Sequence, residues 1–119
     1  MRKPSITVVL LLSIDSKHRV LSSASKAGAE GATKALAIEY AKYGIRVCGV
    51  SPSIANTQMA FNLTGGKNSE EAAKSLGSTL PLGVIGEPED IANMVAQLAC
   101  SESRVVTGII VAVDSGRCI

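Results

Sequence analysis

Apolar residues along this chain fall into runs of two kinds, and the two kinds alternate. Short continuous runs at residues 6–13, 45–50 and 109–113 are rich in Val, Ile and Leu, which is typical of strands covered on both faces. Residues 23–43 are rich in alanine and contain no proline, so they predict a long helix. Gly44 follows where a left-handed C-cap is expected.

Two shorter helices are predicted between the second and third strands. The first, over residues 68–77, has a capping-box-like start. The second begins at Pro88, which suits the first helical position, and continues to about residue 100 with apolar residues recurring on one face. Residues 52–66 and 81–86 are predicted to be loops.

The order β-α-β-α-α-β predicts an α/β fold with a parallel sheet of about three strands, about three helices and right-handed crossovers. A length of 119 residues supports one small domain, residues 1–119. Parallel strands need helices on both faces, and so short a sheet would leave an apolar strand with an open edge. We therefore expect a neighbour, either more sheet or another subunit.

Composition and charge exclude several classes of function. With 46% apolar and 18% charged residues, the chain belongs to the globular class. A net charge of +2, without a basic cluster interleaved with aromatic residues, argues against a nucleic-acid partner. Cys48, Cys100 and Cys118 form no CxxC pair, so we expect neither a disulfide framework nor a metal site. Reduced thiols of this kind indicate a cytoplasmic protein.

The basic N-terminus and the apolar run after it allow two interpretations. Residues 1–24 could form a secretion signal, or residues 6–13 could be the first buried strand. The apolar run is too short to cross a membrane, and charged residues occupy the region where a cleavage site needs small neutral ones. We prefer the strand and keep secretion as the alternative.

The long helix carries both charged and small side chains at helical spacing. Lys26, Glu30 and Lys34 are four residues apart and could pair along one solvated face, which is the ordinary interpretation of Lys26. Small residues also form a ridge that another backbone could approach closely. The ridge consists of Ala24, Gly28, Gly31 and Ala35.

Several short motifs occur in a fixed order along the chain. They are Ser-Ala-Ser-Lys-Ala-Gly from residue 23, Ala-Ile-Glu-Tyr-Ala-Lys-Tyr-Gly-Ile-Arg-Val from residue 37, Val-Ser-Pro from residue 50, Asn-Thr-Gln-Met from residue 56, Gly-Glu-Pro-Glu-Asp-Ile-Ala from residue 86, Thr-Gly at residue 107 and Val-Asp-Ser-Gly from residue 113. Together these motifs closely resemble the second half of the short-chain dehydrogenase/reductase family. The resemblance implies a partial Rossmann-like, doubly wound parallel sheet. It also implies NAD- or NADP-dependent hydride transfer to or from a small-molecule alcohol or carbonyl substrate.

The resemblance assigns catalytic positions to three residues. Lys26 matches the lysine of the family's Tyr-x-x-x-Lys pair, which holds the nicotinamide ribose and lowers the tyrosine pKa. Ser22 occupies the tyrosine position, where an alkyl hydroxyl is a poor substitute because it is far less acidic than a phenol. Ser13 is the nearest match to the serine that binds the substrate oxygen, although a strand-end serine could equally cap a turn.

The resemblance places cofactor contacts directly after the second strand. Pro52 and Thr57 match the family's Pro-Gly and the threonine that contacts the nicotinamide carboxamide. Ser53 stands where glycine is usual, and Ile54 lies in the same segment.

The 11 glycines include neither G-x-G-x-x-G nor G-x-x-x-G-x-G, the turns that bring backbone N–H groups to a pyrophosphate. We therefore expect one incomplete domain that lacks the Gly-rich nucleotide-binding half. By resemblance it belongs to an oxidoreductase, is truncated and impaired, and forms a homo-oligomer. The alternative is a non-catalytic fragment or a subunit-interaction protein.

Overall fold

Three parallel strands form one sheet in the computed structural model, which describes residues 7–11, 19–63 and 69–118. The strands are β1 (Thr7–Leu11), β2 (Arg46–Pro52) and β3 (Ile110–Val113), and they lie side by side in the order β1-β2-β3. Arg46 is in register with Thr7 of β1, and Gly49 with Ile110 of β3. The predicted α/β fold and three-stranded parallel sheet are confirmed.

Four α-helices and two short 3₁₀ helices accompany the sheet within the described residues. They are α1 (Arg19–Tyr40), α2 (Gln58–Leu63), α3 (Ser69–Gly77), α4 (Pro88–Ala99), and the 3₁₀ turns Ala41–Tyr43 and Ser101–Ser103. Two predicted boundaries were wrong. The long helix begins at least four residues before Ser23, and the predicted loop 52–66 contains both the end of β2 and the whole of α2.

A left-handed glycine links α1 to β2. Gly44 has φ 74°, and its N–H donates to the carbonyl of Ala41 at 2.9 Å. Glycine adopts this conformation without the strain that a Cβ would impose. The predicted C-cap is therefore confirmed, and β2 can begin only two residues later, at Arg46.

The core surrounds β2, whose residues 46–51 are all buried. Cys48 and Val50 lie on one face of the strand, where they pack with Leu98 and the neighbouring apolar residues of α4. Val47 points to the other face, since side chains alternate along a strand, and it is also buried. Helix α1 packs against β2 as well, so helices cover the strand on both faces, as a doubly wound fold requires.

Arg46 ties the start of β2 to the end of α4. Its side chain is only 5% exposed, and Nη1 donates to the carbonyls of Leu98 at 2.7 Å and Val106 at 3.3 Å. Nη2 donates to the carbonyl of Cys100 at 3.4 Å. The last carbonyls of a helix lack partners within the helix and carry its negative dipole end. The buried guanidinium satisfies both needs.

The end of α3 approaches the following turn too closely for any side chain. A Cβ added at Gly77 would lie 2.8 Å from the carbonyl oxygen of Gly83. Glycine at this position lets the turn before α4 fold back against α3.

Candidate functional site

The segment that leaves β2 lies at the carboxyl end of the sheet. In open parallel α/β sheets, ligands bind at this end, where loops leave the strands. Residues 52–57 form the segment here, and Pro52 is the last residue of β2. The N–H of Ser53 donates to the carbonyl of Val113, the last residue of β3, at 3.2 Å.

A second set of contacts fixes the far side of this segment. Ala55 forms an isolated parallel bridge with Gly86, and the N–H of Asn56 donates to the Gly86 carbonyl at 2.8 Å. The Asn56 side-chain amide also donates to Glu87 Oε1 at 3.0 Å. Residues 53–56 are therefore held between β3 and the start of α4. No local pattern in the sequence indicates this anchoring.

The start of α4 is fixed in turn. Pro88 occupies the first helical turn, as predicted, and the Asp90 carboxylate accepts the backbone N–H of Glu87 at 2.8 Å. Because Glu87 is the residue that holds Asn56, this cap also steadies the segment after β2.

Two hydroxyl groups on the anchored segment lack strong partners. Ser53 Oγ is buried and makes no hydrogen bond within the described residues. A buried hydroxyl left unbonded costs about 1–3 kcal/mol. The Thr57 side chain is exposed, and its hydroxyl donates to the Ala55 carbonyl only over a long 3.4 Å. The Thr57 hydroxyl is therefore open to a ligand directly, and the Ser53 hydroxyl could meet one by a rotation of its side chain.

The first turns of α1 lie toward the same end of the sheet. The end of α1 connects almost directly to the start of β2, so the opposite end of this helix points toward the carboxyl edge. Ser22 and Lys26 are one turn apart on α1 and therefore share a face. Lys26 is half-buried. Its side chain makes no hydrogen bond or ion pair with any described residue, so it does not pair with Glu30.

The structure describes some of the remaining predicted site residues but not all of them. Ile54 is half-buried in the anchored segment, as are Pro52 and Ser53. Ser13 lies outside the described residues, and so does most of the region weighed as a secretion signal.

A cleft of about 430 Å³ opens beside the end of β3. Its walls come from Leu82, residues 84–86, Asp90 and residues 112–116. The Asp114 carboxylate at its rim accepts the N–H groups of Gly116 at 3.0 Å and Cys118 at 3.1 Å. A hydrogen bond from the Cys118 thiol is the largest cause that lowers the pKa of Asp114 below its ordinary value. Desolvation opposes this shift, and the backbone N–H groups reinforce it.

The part of the chain that the structure describes shows neither a cluster of metal ligands nor a membrane-spanning helix. Residues 7–11, 19–63 and 69–118 contain no group of three His, Cys, Asp or Glu side chains placed to hold a metal ion. Over the same residues, no helix combines the length and the apolar character needed to cross a bilayer.

Comparison with known proteins identifies the class to which this fold belongs. A family model described as enoyl-(acyl carrier protein) reductase matches residues 6–117. The chain is 45% identical over 93 residues to a 7alpha-hydroxysteroid dehydrogenase of Paraclostridium sordellii, covering 77% of this chain and 33% of that protein. It is 40% identical over 97 residues to a 3-oxoacyl-(acyl-carrier-protein) reductase of Thermotoga maritima, covering 82% and 37%.

Solved structures agree with the sequence comparisons. A C-terminal deletion mutant of Thermoplasma acidophilum aldohexose dehydrogenase superposes with a TM-score of 0.83 at 28% identity, covering 96% of this chain and 51% of that one. A short-chain dehydrogenase family protein of Francisella tularensis gives a TM-score of 0.79 at the same identity. This chain belongs to the short-chain dehydrogenase/reductase family. It spans about half of these solved chains and between a third and two-fifths of the two curated relatives.

Proposed function

We propose that this chain forms the substrate-side half of an NAD- or NADP-dependent oxidoreductase, which moves a hydride between the nicotinamide ring and an alcohol or carbonyl carbon. The observation that carries the proposal is the anchored segment 52–57, whose two available hydroxyls lie at the ligand-binding end of a parallel sheet. Family membership supports the type of reaction. No contact or comparison favours a non-catalytic role.

The residues after β2 suit the nicotinamide end of the cofactor. Thr57 would bond the ring carboxamide through its exposed hydroxyl, and Pro52, Ser53 and Ile54 would border the ring. When bound, the cofactor supplies or accepts the hydride. The protein's part is to hold the ring against the segment that β3 and the start of α4 fix in place.

Lys26 and Ser22 on α1, together with Ser13 before it, would contact the nicotinamide ribose and the reacting oxygen of the substrate. Lys26 would hold the nicotinamide ribose, since its ammonium group has no partner among the described residues. Ser13 would bond the substrate oxygen. Ser22 would face the position from which a proton is exchanged, but a serine hydroxyl is too weakly acidic for this step. We therefore propose slow turnover for this sequence.

The names of the relatives indicate the reacting group of the substrate but not the rest of the molecule. One is a dehydrogenase of a hydroxysteroid, and another is a reductase of 3-oxoacyl groups. Both names describe a hydroxyl or oxo carbon on a larger organic molecule. We propose the same reacting group for this chain, and a homo-oligomer as the assembly that acts on it.

Cofactor titration tests the proposed function. With no Gly-rich turn in the sequence, the chain should bind NAD or NADP weakly, with millimolar dissociation constants in calorimetry. Lys26→Ala and Thr57→Ala should each weaken binding further. Lys34→Ala is the matched control, because it removes an exposed lysine two turns further along α1. Absence of binding, or binding that neither variant affects, would contradict the proposal.

A further inference from the structure

We infer that the Ser53 hydroxyl is a specificity-determining group that hydrogen-bonds the ring carboxamide of a nicotinamide nucleotide. The inference rests on the proposed function, because it adds one contact to the same ligand. It concerns this chain's own side chain, since glycine, which has no hydroxyl, is usual at this position in the family that the chain resembles.

The Ser53 hydroxyl is the one buried side-chain oxygen or nitrogen that lacks a partner within residues 7–11, 19–63 and 69–118. Two other buried hydroxyls within the described residues are bonded. Thr33 donates to the Ala29 carbonyl at 2.8 Å, and Ser103 donates to the Gln97 carbonyl at 2.6 Å. Buried polar groups are normally satisfied, so an exception calls for an explanation such as a missing ligand.

Backbone contacts on both sides hold the main chain of Ser53 in place. Its own N–H is bonded to Val113, and the residues two and three positions later are bonded to Gly86. The hydroxyl can therefore change its surroundings only by rotating about its own Cα–Cβ bond. The unsatisfied group is therefore built into the end of the sheet, where ligands of this fold class bind.

The chemistry of the hydroxyl matches an amide better than an apolar ring edge. A serine hydroxyl can donate one hydrogen bond and accept two. A primary carboxamide offers a carbonyl acceptor and an NH₂ donor, so either end satisfies Ser53. A pyridine ring without the carboxamide offers neither, and would leave Ser53 unbonded. The site should therefore distinguish these two ligands through Ser53.

The test is a two-by-two comparison of protein and ligand. Nicotinamide mononucleotide and the corresponding pyridine mononucleotide, which lacks the carboxamide, are titrated into the ¹⁵N-labelled chain and into Ser53→Ala. We expect shifts of the backbone N–H signals of residues 53–57. Ser53→Ala should weaken the nicotinamide nucleotide roughly threefold to tenfold, the factor of one uncharged hydrogen bond, and leave the pyridine nucleotide unchanged. Ser53→Gly should behave as Ser53→Ala does.

A thermal melt without ligand tests the unsatisfied state directly. Ser53→Ala should melt at the same temperature as the parent chain or higher, because the hydroxyl has no bond to lose. Ser103→Ala is the matched control, since it removes a buried hydroxyl that is bonded, and it should melt lower. An equal loss in both variants would overturn the inference, because Ser53 would then have a partner in the free protein.

The outcomes separate this inference from the proposed function. If Thr57→Ala weakens the nicotinamide nucleotide and Ser53→Ala does not, the inference is wrong and the proposed function stands. If Ser53→Ala weakens both nucleotides equally, the hydroxyl does not act on the carboxamide, and the inference again fails alone. If the parent chain shows no shifts in residues 52–57 with either nucleotide, both are wrong.

Discussion

Asp114 and Ser53 lie near each other along the carboxyl edge of the sheet, yet their hydrogen-bonding states are opposite. The Asp114 carboxylate accepts two backbone N–H groups and a thiol, all from the four residues that follow it. The Ser53 hydroxyl makes no hydrogen bond to any residue that the structure describes. The hydrogen bonds of the Asp114 carboxylate therefore stabilise its own turn, whereas the Ser53 hydroxyl can still bond a ligand.

The Asp114 carboxylate should make stability depend on pH. Its pKa is lowered from 3.8 in the folded chain, so its contribution is fully present above that value and is lost as pH falls through the lowered pKa. Asp114→Asn should melt below the parent chain at neutral pH, and the difference should narrow in strong acid. Glu89→Gln, at an exposed carboxylate, is the control. A difference that stays constant with pH would contradict this assignment.

Ser22 limits catalysis if the proposed function is right. In a chimera that joins this chain to the front half of a family member, Ser22→Tyr should raise turnover about a hundred- to ten-thousand-fold, the usual contribution of a positioned acid or base. Adding Lys26→Ala should remove the gain. Steady-state rates and cofactor affinity are measured together. Unchanged turnover with intact cofactor affinity would show that residue 22 does not face the substrate.

At the scale of helices, two glycines should respond in opposite directions to the same substitution. Gly77→Ala places a methyl group 2.8 Å from a backbone oxygen, so it should destabilise the chain by about 1–3 kcal/mol. Gly28→Ala meets nothing within 4 Å in the middle of α1, and should stabilise it by about 0.5–1 kcal/mol. Urea unfolding measures both. A neutral Gly77→Ala would mean that the turn at Gly83 moves freely.

Strong local signals predicted most elements correctly, and weak ones accounted for the errors. Gly44 and Pro88 marked a helix end and a helix start because their backbone preferences act without help from the rest of the fold. Helix α2 is only six residues long, too short to show a helical period of apolar residues. The alanine-rich stretch from residue 23 predicted the long helix, but α1 already begins at Arg19.

The position of the candidate segment after β2 was predictable from the sequence, but its hydrogen bonds were not. The resemblance pointed to the segment after β2, and the structure places that segment at the carboxyl edge. The hydrogen bonds from Asn56 to Gly86 and Glu87 join residues about thirty positions apart. Such contacts depend on how α4 docks, which no local pattern encodes. The missing partner of Ser53 follows from the same packing.

At the scale of the whole molecule, α1 presents an apolar surface to solvent. Leu21 is 71% exposed and Ile38 is 79% exposed, and the small residues of the ridge between them are exposed too. Contiguous apolar surface of this kind marks association sites. The sheet offers a second surface for association, because β1 pairs with β2 and with no other described strand, which leaves one edge of β1 open.

We predict that the purified chain is dimeric or larger, or aggregates. Ala35→Arg, at the C-terminal end of the ridge, should shift the mass in light scattering toward the monomer. Leu82→Arg is the control, since it changes an exposed apolar residue on another surface. A sharp monomer peak for the parent chain, with a cooperative melt, would show that the fold is self-sufficient.

The arginine that joins β2 to α4 also constrains the order of events as the chain is made. Val106, one of its acceptors, is synthesised 60 residues after Arg46. At roughly 5–20 residues per second, that delay is about 3–12 seconds. Leu98, which accepts the shortest of the three bonds, is itself made 52 residues after Arg46. The bonds between the guanidinium and the end of α4 therefore form late in synthesis, and nascent chains that stall before residue 98 should lack them.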